Sequence, residues 1–280
     1  MITLKGIDTA GKIKEEIDKG LEELKGYIPC LAIIRVGERP DDVSYEKGAV
    51  KKMEKLGLKA LSYVFPEKIS DEKFKEEFCR INGDDKVDGI LLLKPLPRHI
   101  CEKDIEKLIS PEKDLDGISP ENIAKVFAGD KSGFAPCTAE AVMEVLKAEK
   151  IETEGKRMTI VGRSMVVGRP LSMLALGQNA TVTVCHTKTK NLKEECQRAE
   201  ILVAAAGKAG MIDKSYVGEN AVVIDVGINV DENGKLCGDV DFEGIKEKAA
   251  MATPVPGGVG MVTTSVLAKH LVQAVLAKKS

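Results

Sequence analysis

The stretch that decides the fold is Met158–Pro170, M-T-I-V-G-R-S-M-V-V-G-R-P. Thr159, Ile160 and Val161 form a short β-branched run that stops at Gly162-Arg163-Ser164. Val167, Gly168 and a helix-compatible run, Leu171 to Leu176, follow. Strand, glycine turn and helix in that order aim backbone N–H groups and a helix N-terminus at a phosphate. The spacing departs from G-x-G-x-x-G: Ser164 stands at the second glycine and Gly168 comes late. By itself the pattern also fits an ordinary strand-to-helix turn.

The next strand, 180–185, ends in His186-Thr187-Lys188-Thr189. In dinucleotide folds this strand end reads the adenosine ribose, about 20 residues past the turn. No Asp or Glu stands there to accept the two ribose hydroxyls. A hydroxyl and a cation, with Arg163 in the turn, favour a 2′-phosphate, and so NADP over NAD. Strands at 158–161, 201–205 and 221–226, with helices at 168–177 and 191–198, complete a Rossmann-like run.

Upstream, Ile13, Ile17, Leu21 and Leu24 recur at helical spacing and predict a helix over 8–26. Cys30 to Val36 reads as a strand, apolar except at Arg35. Asp41, Asp42 and Ser44 offer N-caps for a helix that Gly57 stops. Strands at 61–65 and 87–93 flank a helix at 71–82, giving βαβαβ and a parallel layer. The stretch from Pro111 to Pro136 reads as loop, because glycine and proline recur through it. Helices at 138–149 and 263–278 finish the chain, the second beyond the glycine-rich loop Pro254 to Gly260.

At 280 residues there is room for two medium domains. A net charge of −2 with no basic face, 4% aromatic content and no Trp argue against nucleic acid as a partner. Seven cysteines, odd in number and without a C-x-x-C pair, fit reduced thiols rather than disulfides or a zinc site. The start M-I-T-L-K-G has no apolar signal core, and no apolar run reads as a membrane span. The expectation is a cytoplasmic protein with no membrane and no metal.

Several segments together resemble the methylenetetrahydrofolate dehydrogenase/cyclohydrolase family of the FolD type. They are 162–170 and 180–189, D-G-I-L-L-L-K-P-L-P at 88–97, P-E-K-D-L-D-G at 111–117 and P-C-T at 136–138. V-V-I-D-V-G-I-N at 222–229, G-D-V at 238–240 and T-P-V-P-G-G-V-G at 253–260 continue in the family's order. The resemblance implies an α/β protein of two lobes with a cleft between them. Residues 1–140 with 261–280 would form the folate-site domain, and 141–260 the Rossmann-type NADP-binding domain. It also implies a homodimer that acts on one-carbon derivatives of tetrahydrofolate. Family members oxidise 5,10-methylenetetrahydrofolate by hydride transfer, and many hydrolyse the methenyl product to 10-formyltetrahydrofolate.

By the same resemblance Asp116 binds the pterin ring and Tyr45 packs on the folate. Leu93, Pro95, Pro256, Gly257, Gly258 and Thr263 would surround the substrate. Gly162, Arg163, Ser164, Val167, Gly168, His186, Thr187, Lys188, Gly207, Gly227 and Ile228 would surround NADP. His186 reads as a strand-end polar residue rather than a base, and Asp114 as structural.

Two positions depart from the family. Its members place a lysine four residues after the tyrosine, where it serves the cyclohydrolase step. Here that position is Ala49. Residues i and i+4 share a helix face, so a methyl group stands where the ammonium should be. The glutamine that hydrogen-bonds this lysine in the family is replaced by Leu93. A glutamine without its lysine would need another partner, and leucine removes that need. The two changes together imply a cyclohydrolase step lost or weakened. Lys52 shares the face of Tyr45 but lies about 10 Å along the axis. Lys47 is on another face, and Lys94 points away from Leu93 if the strand continues. The alternatives are a fully bifunctional enzyme, with Lys52 or water in the lysine's role, and a non-catalytic folate- or nucleotide-binding protein.

Overall fold

The computed structural model describes residues 1–232 and 234–279. In chain order the elements are β1 (Ile2–Thr3), α1 (Gly6–Glu23), β2 (Cys30–Val36), α2 (Pro40–Lys55), β3 (Lys59–Phe65), α3 (Asp71–Asn82), β4 (Gly89–Leu92), α4 (Glu102–Leu108), α5 (Pro120–Ala128) and α6 (Cys137–Ala148). Then come β5 (Arg157–Val161), α7 (Gly168–Leu176), β6 (Thr181–Cys185), α8 (Leu192–Gln197), β7 (Ile201–Ala204), β8 (Val222–Asp225), β9 (Asn229–Val230), β10 (Leu236–Cys237), β11 (Met251–Ala252) and α9 (Val259–Lys279). They form two units: Ile13–Cys137 with Thr264–Ser280, and Met1–Lys12 with Thr138–Thr263.

The first unit holds a parallel sheet ordered β3-β2-β4. Its middle strand is buried on both faces, which is why β2 is apolar almost throughout. The exception, Arg35, ion-pairs with Glu46 of α2 and donates to the Gly37 carbonyl, so its charge is not left alone. Phe74 and Phe78 of α3 are fully buried, and Phe65 meets Phe74 edge-on at 5.5 Å. Each such burial stabilises the unit by roughly 1.5–3 kcal/mol. The chain steps from β2 out to β3 and then back across to β4. The C-terminal ends of β2 and β4 therefore flank the switch point where open α/β sheets take ligands.

The second unit holds a six-stranded sheet ordered β1-β11-β8-β7-β5-β6. All its pairings are parallel. Here the switch point lies between β5 and β7, beside the Gly162 turn. Residues 1–12 group with this sheet because Ile2 and Thr3 pair with Met251 and Ala252.

Several expectations need correction. The stretch read as loop contains α4 and α5. Ser119 caps α5 by accepting from the Asn122 N–H, Pro120 opens it, and Gly129 closes it at φ +73°. Neither Asp41, Asp42 nor Ser44 caps α2: Arg39 stands at the N-cap and Pro40 fills the first turn. The last helix begins at Val259 rather than 263. That helix is also long and apolar enough to cross a membrane, with a mean hydropathy of 1.4 in its best window. The sequence reading missed this. Burial explains the composition, since 67% of that window is inside the protein.

Candidate active site

In the six-stranded unit, Gly162 follows β5 at φ +144°, and a side chain there would strike the Ala205 carbonyl. Its N–H donates to the Cys185 carbonyl at 2.9 Å, so the ends of β5 and β6 lie side by side. A Cβ on Gly168 would collide with the Gly162 carbonyl, which explains the late glycine. Ser164 Oγ accepts from the Val167 N–H at 3.1 Å and closes the turn. No side chain caps α7; the Arg169 N–H donates to the Ser164 carbonyl at 3.1 Å and Pro170 has none, which leaves the Gly168 N–H facing the turn. This cradle fits a nucleotide phosphate. At the end of β6, Thr189 Oγ1 accepts from the His186 N–H at 2.8 Å, and His186 Nδ1 accepts from the Lys188 N–H at 3.1 Å. His186 is thereby a turn-former. Arg163, Thr187 and Lys188 are exposed on the two adjacent turns, as a 2′-phosphate site requires.

Two acids that the sequence reading left without a role organise the neighbouring loops. Asp239 is fully buried and accepts from the N–H groups of Ala206, Gly207 and Lys208 at 2.6–2.9 Å, and from Asn229 Nδ2. The Gly207 N–H is thus already used; the residue offers open space beside the turn, not a donor. Asp225 accepts from the N–H groups of Gly227, Asp239 and Val240 at 2.9–3.0 Å. These bonds present Ile228, 68% exposed, at the surface of the loop.

Burial pushes the Asp225 carboxyl up to about 6; its three N–H bonds oppose the rise and the Asp239 charge adds to it. Between the unfolded value of about 3.9 and that value, the folded chain holds a proton that the unfolded chain has lost. The group's contribution to stability therefore grows as pH falls through about 6. The carboxyl carbon of Asp225 should titrate by NMR with a midpoint about two units above that of an exposed aspartate. A midpoint near 4 would remove the effect.

The loop after β11 starts with Thr253, whose Oγ1 accepts from the Asp225 N–H at 2.7 Å. Val255-Pro256 is cis. The Gly257 carbonyl accepts from the Gly6 N–H at 2.8 Å, and a Cβ on Gly6 would strike the Gly258 carbonyl. Pro256 is exposed, while Thr263 is buried one turn into α9 and donates to the Val259 carbonyl.

In the three-stranded unit, Tyr45 lies on α2 with 36% of its surface exposed. Packing around its hydroxyl, with Cys137 and Asp116 nearby, pushes the phenol well above its ordinary range. Asp116 accepts from the Cys137 N–H at 2.8 Å, at the start of α6. Burial pushes its carboxyl up, and the Cys137 bonds work against this. Gly117 turns the chain at φ +59°, where a side chain would meet the Phe134 carbonyl. Asp114 is structural: it accepts from the N–H groups of Ile118 and Ser119 and from Asn122 Nδ2. Tyr45 and Asp116 are thus brought together.

Ala49 is fully buried, and Leu93 is 8% exposed. The Leu93 N–H extends the β2–β4 ladder to the Ile34 carbonyl at 2.9 Å, and cis-Pro95 follows. Lys94 is paired with Glu106 at 2.6 Å, and Lys47 is exposed. Lys52 is half-buried, and burial, reinforced by Lys55, lowers its pKa. Sequence reasoning also passed over Cys137 and His270, which meet near Asp116. The local signals for Asp225, Asp239 and Cys137 were D-V-G, G-D-V and P-C-T; His270 carried none.

The sequence pattern of the tetrahydrofolate dehydrogenase/cyclohydrolase catalytic domain matches residues 4–116, and that of the family's NAD(P)-binding domain matches 136–279. The bifunctional protein FolD of Clostridium kluyveri is 52% identical over 275 residues, covering 98% of this chain and 97% of its own. The crystal structure of the bifunctional FolD enzyme from Campylobacter jejuni superposes with a TM-score of 0.96 at 41% identity, over 99% of each chain. The Trypanosoma brucei dehydrogenase-cyclohydrolase, complexed with NADP cofactor and inhibitor, gives 0.92 at 32% identity, covering 100% of this chain and 99% of its own. With both domain patterns and an end-to-end relative in agreement, the chain belongs to the tetrahydrofolate dehydrogenase/cyclohydrolase family.

Proposed function

We propose that this protein oxidises 5,10-methylenetetrahydrofolate to 5,10-methenyltetrahydrofolate with NADP as hydride acceptor, with hydrolysis of the methenyl product lost or weak. The observation that carries the second half is the buried apolar pair Ala49 and Leu93, at the family's lysine and glutamine positions. Hydrolysis needs a group that activates water and moves protons. A methyl and an isobutyl group do neither.

Oxidation makes no such demand. A carbon between two nitrogens releases hydride and becomes a cation shared by both. NADP, when bound, supplies the nicotinamide carbon that takes the hydride. The protein's own task is orientation. Asp116, as a carboxylate, accepts two hydrogen bonds from the 2-amino-pyrimidinone edge of the pterin. Tyr45 packs against the folate. Ser164 and the Gly168 N–H at the start of α7 hold the diphosphate, and Arg163 and Lys188 the 2′-phosphate.

Lys52 favours a second reading, because its lowered pKa is the property a proton-transferring lysine needs. One absorbance series decides. NADPH and the methenyl product should rise together, after which the methenyl band should decay at the buffer rate. Enzyme-dependent decay, abolished by Lys52→Met, would establish the second reading; absence of NADPH formation would leave a binding protein. Replacing NADP by NAD should lower kcat/KM by roughly 10- to 100-fold, the worth of one or two charge-assisted hydrogen bonds. Arg163→Ala with Lys188→Ala should erase most of that difference; an enzyme that already prefers NAD would refute the phosphate site.

A further inference from the structure

His270 lies on α9, one of three histidines in the chain and only 1% exposed. Hydride transfer has no use for a buried imidazole. Its Nδ1 stands 2.8 Å from the Leu115 carbonyl oxygen. A carbonyl can only accept, so Nδ1 carries the hydrogen. The Cys137 thiol donates to the same oxygen at 3.3 Å, and its sulfur is 3.8 Å from Nδ1. The next residue is Asp116, and the Cys137 N–H fixes its Oδ1. Phe134, whose carbonyl forces the glycine at 117, also packs its ring on His270, with centroids 5.0 Å apart. The peptide before Asp116, the turn after it and one carboxylate oxygen are all held by groups distant in sequence.

We propose that His270 and Cys137 are positioning residues: they clamp the Leu115 carbonyl and thereby set the aim of the Asp116 carboxylate at the folate ring. This rests on the reading of Asp116 given above. The specificity lies in the atom used. Nδ1 is the imidazole nitrogen nearer the backbone, and the amide nitrogen of an asparagine sits at the same place on its side chain. A glutamine amide sits one carbon further out, where Nε2 would be.

Nitrogen-15 NMR of the histidine rings reads the clamp without substrate: His270 should carry its proton on Nδ1, and a ring protonated only on Nε2 overturns the proposal. Kinetics read its purpose. His270→Leu should raise the KM for methylenetetrahydrofolate about tenfold or more, the order expected when a buried carbonyl loses a donor. The KM for NADP should stay within about twofold, and kcat should change little, as for a loss of uniform binding. His270→Asn should recover most of the affinity, and His270→Gln should not. Cys137→Ala keeps the N–H, loses the thiol and should show a smaller rise in the same constant. Unchanged folate KM in His270→Leu, equal weakening toward both substrates, or rescue by glutamine as good as by asparagine overturns the clamp. Should His270→Leu fail to fold, the Asn–Gln contrast and Cys137→Ala decide. Asp116→Ala serves as the reference. If it leaves the folate KM unchanged, the substrate reading falls and takes the functional half of this inference with it, while the ring tautomer still reports the clamp.

Discussion

Ala49→Lys combined with Leu93→Gln is expected to give methenyltetrahydrofolate hydrolysis about 100-fold or more above the protein's own background. General acid–base groups contribute roughly 10²- to 10⁴-fold, and this pair supplies the missing one with its hydrogen-bond partner. Neither single change should suffice. Position 49 is fully buried, so a lone ammonium there would be desolvated and driven toward its neutral form. A lone glutamine at 93 would leave a buried amide unsatisfied, at about 1–3 kcal/mol. The two substitutions should therefore be strongly non-additive in both activity and melting temperature. The larger side chain at 49 should also lower stability by about 1–3 kcal/mol through overpacking. Dehydrogenase kcat should stay within about threefold, because hydride transfer needs orientation and not a base. The decay of the methenyl band reports the outcome. A double variant no faster than the parent would show that something other than these two side chains withholds hydrolysis.

Asp116→Ala is expected to raise the KM for methylenetetrahydrofolate by roughly 100-fold or more, with the KM for NADP little changed. Two hydrogen bonds to a carboxylate, each worth about 1.5–3 kcal/mol, disappear together. Asp116→Asn should fall between, because an amide offers one acceptor and turns a donor toward the pterin amine. The pH profile gives an independent reading. Burial holds the carboxyl above its ordinary range, and only the ionised form accepts both bonds. As pH falls through that raised pKa, kcat/KM for the folate should decline, starting above the usual aspartate value of about 3.9. Flat kinetics across that range, or an unchanged KM in the alanine variant, would remove Asp116 from the site.

Much of this was legible from local pattern. The apolar run at 30–36 and the β-branched run at 158–161 announced their strands, and α3 begins and ends at the expected 71 and 82. What escaped notice depended on distance along the chain or on punctuation with two meanings. Pro120 and Gly129 read as loop residues, yet a proline in the first turn and a glycine at the C-cap are also how a short helix begins and ends. β1 and β11 have two residues each, too few to show any period, and exist only because they pair across the chain. Asp225, Asp239, Cys137 and His270 each act through at least one partner between 14 and 155 residues away. No window on the sequence brings them together. The absences at 49 and 93 were visible because neighbouring motifs fixed the register around them.

The helix α9 has a consequence for how the protein is made. It completes the three-stranded unit: Lys269 pairs with Glu16, His270 bonds Leu115, and Val272 packs where Gly20 leaves room. That unit's other residues, 13–137, leave the ribosome first and can bury Phe74 and Phe78 among themselves, yet the face that α9 covers, around Gly20 and Leu115, stays open until α9 has been synthesised. The six-stranded unit needs only Met1–Lys12 and Thr138–Thr263, and all of these precede the unit-closing part of α9. The half that emerges later is thus the half whose chain is completed first. The earlier half must wait with the face around Gly20 uncovered, which is the interval in which a chaperone would find the chain.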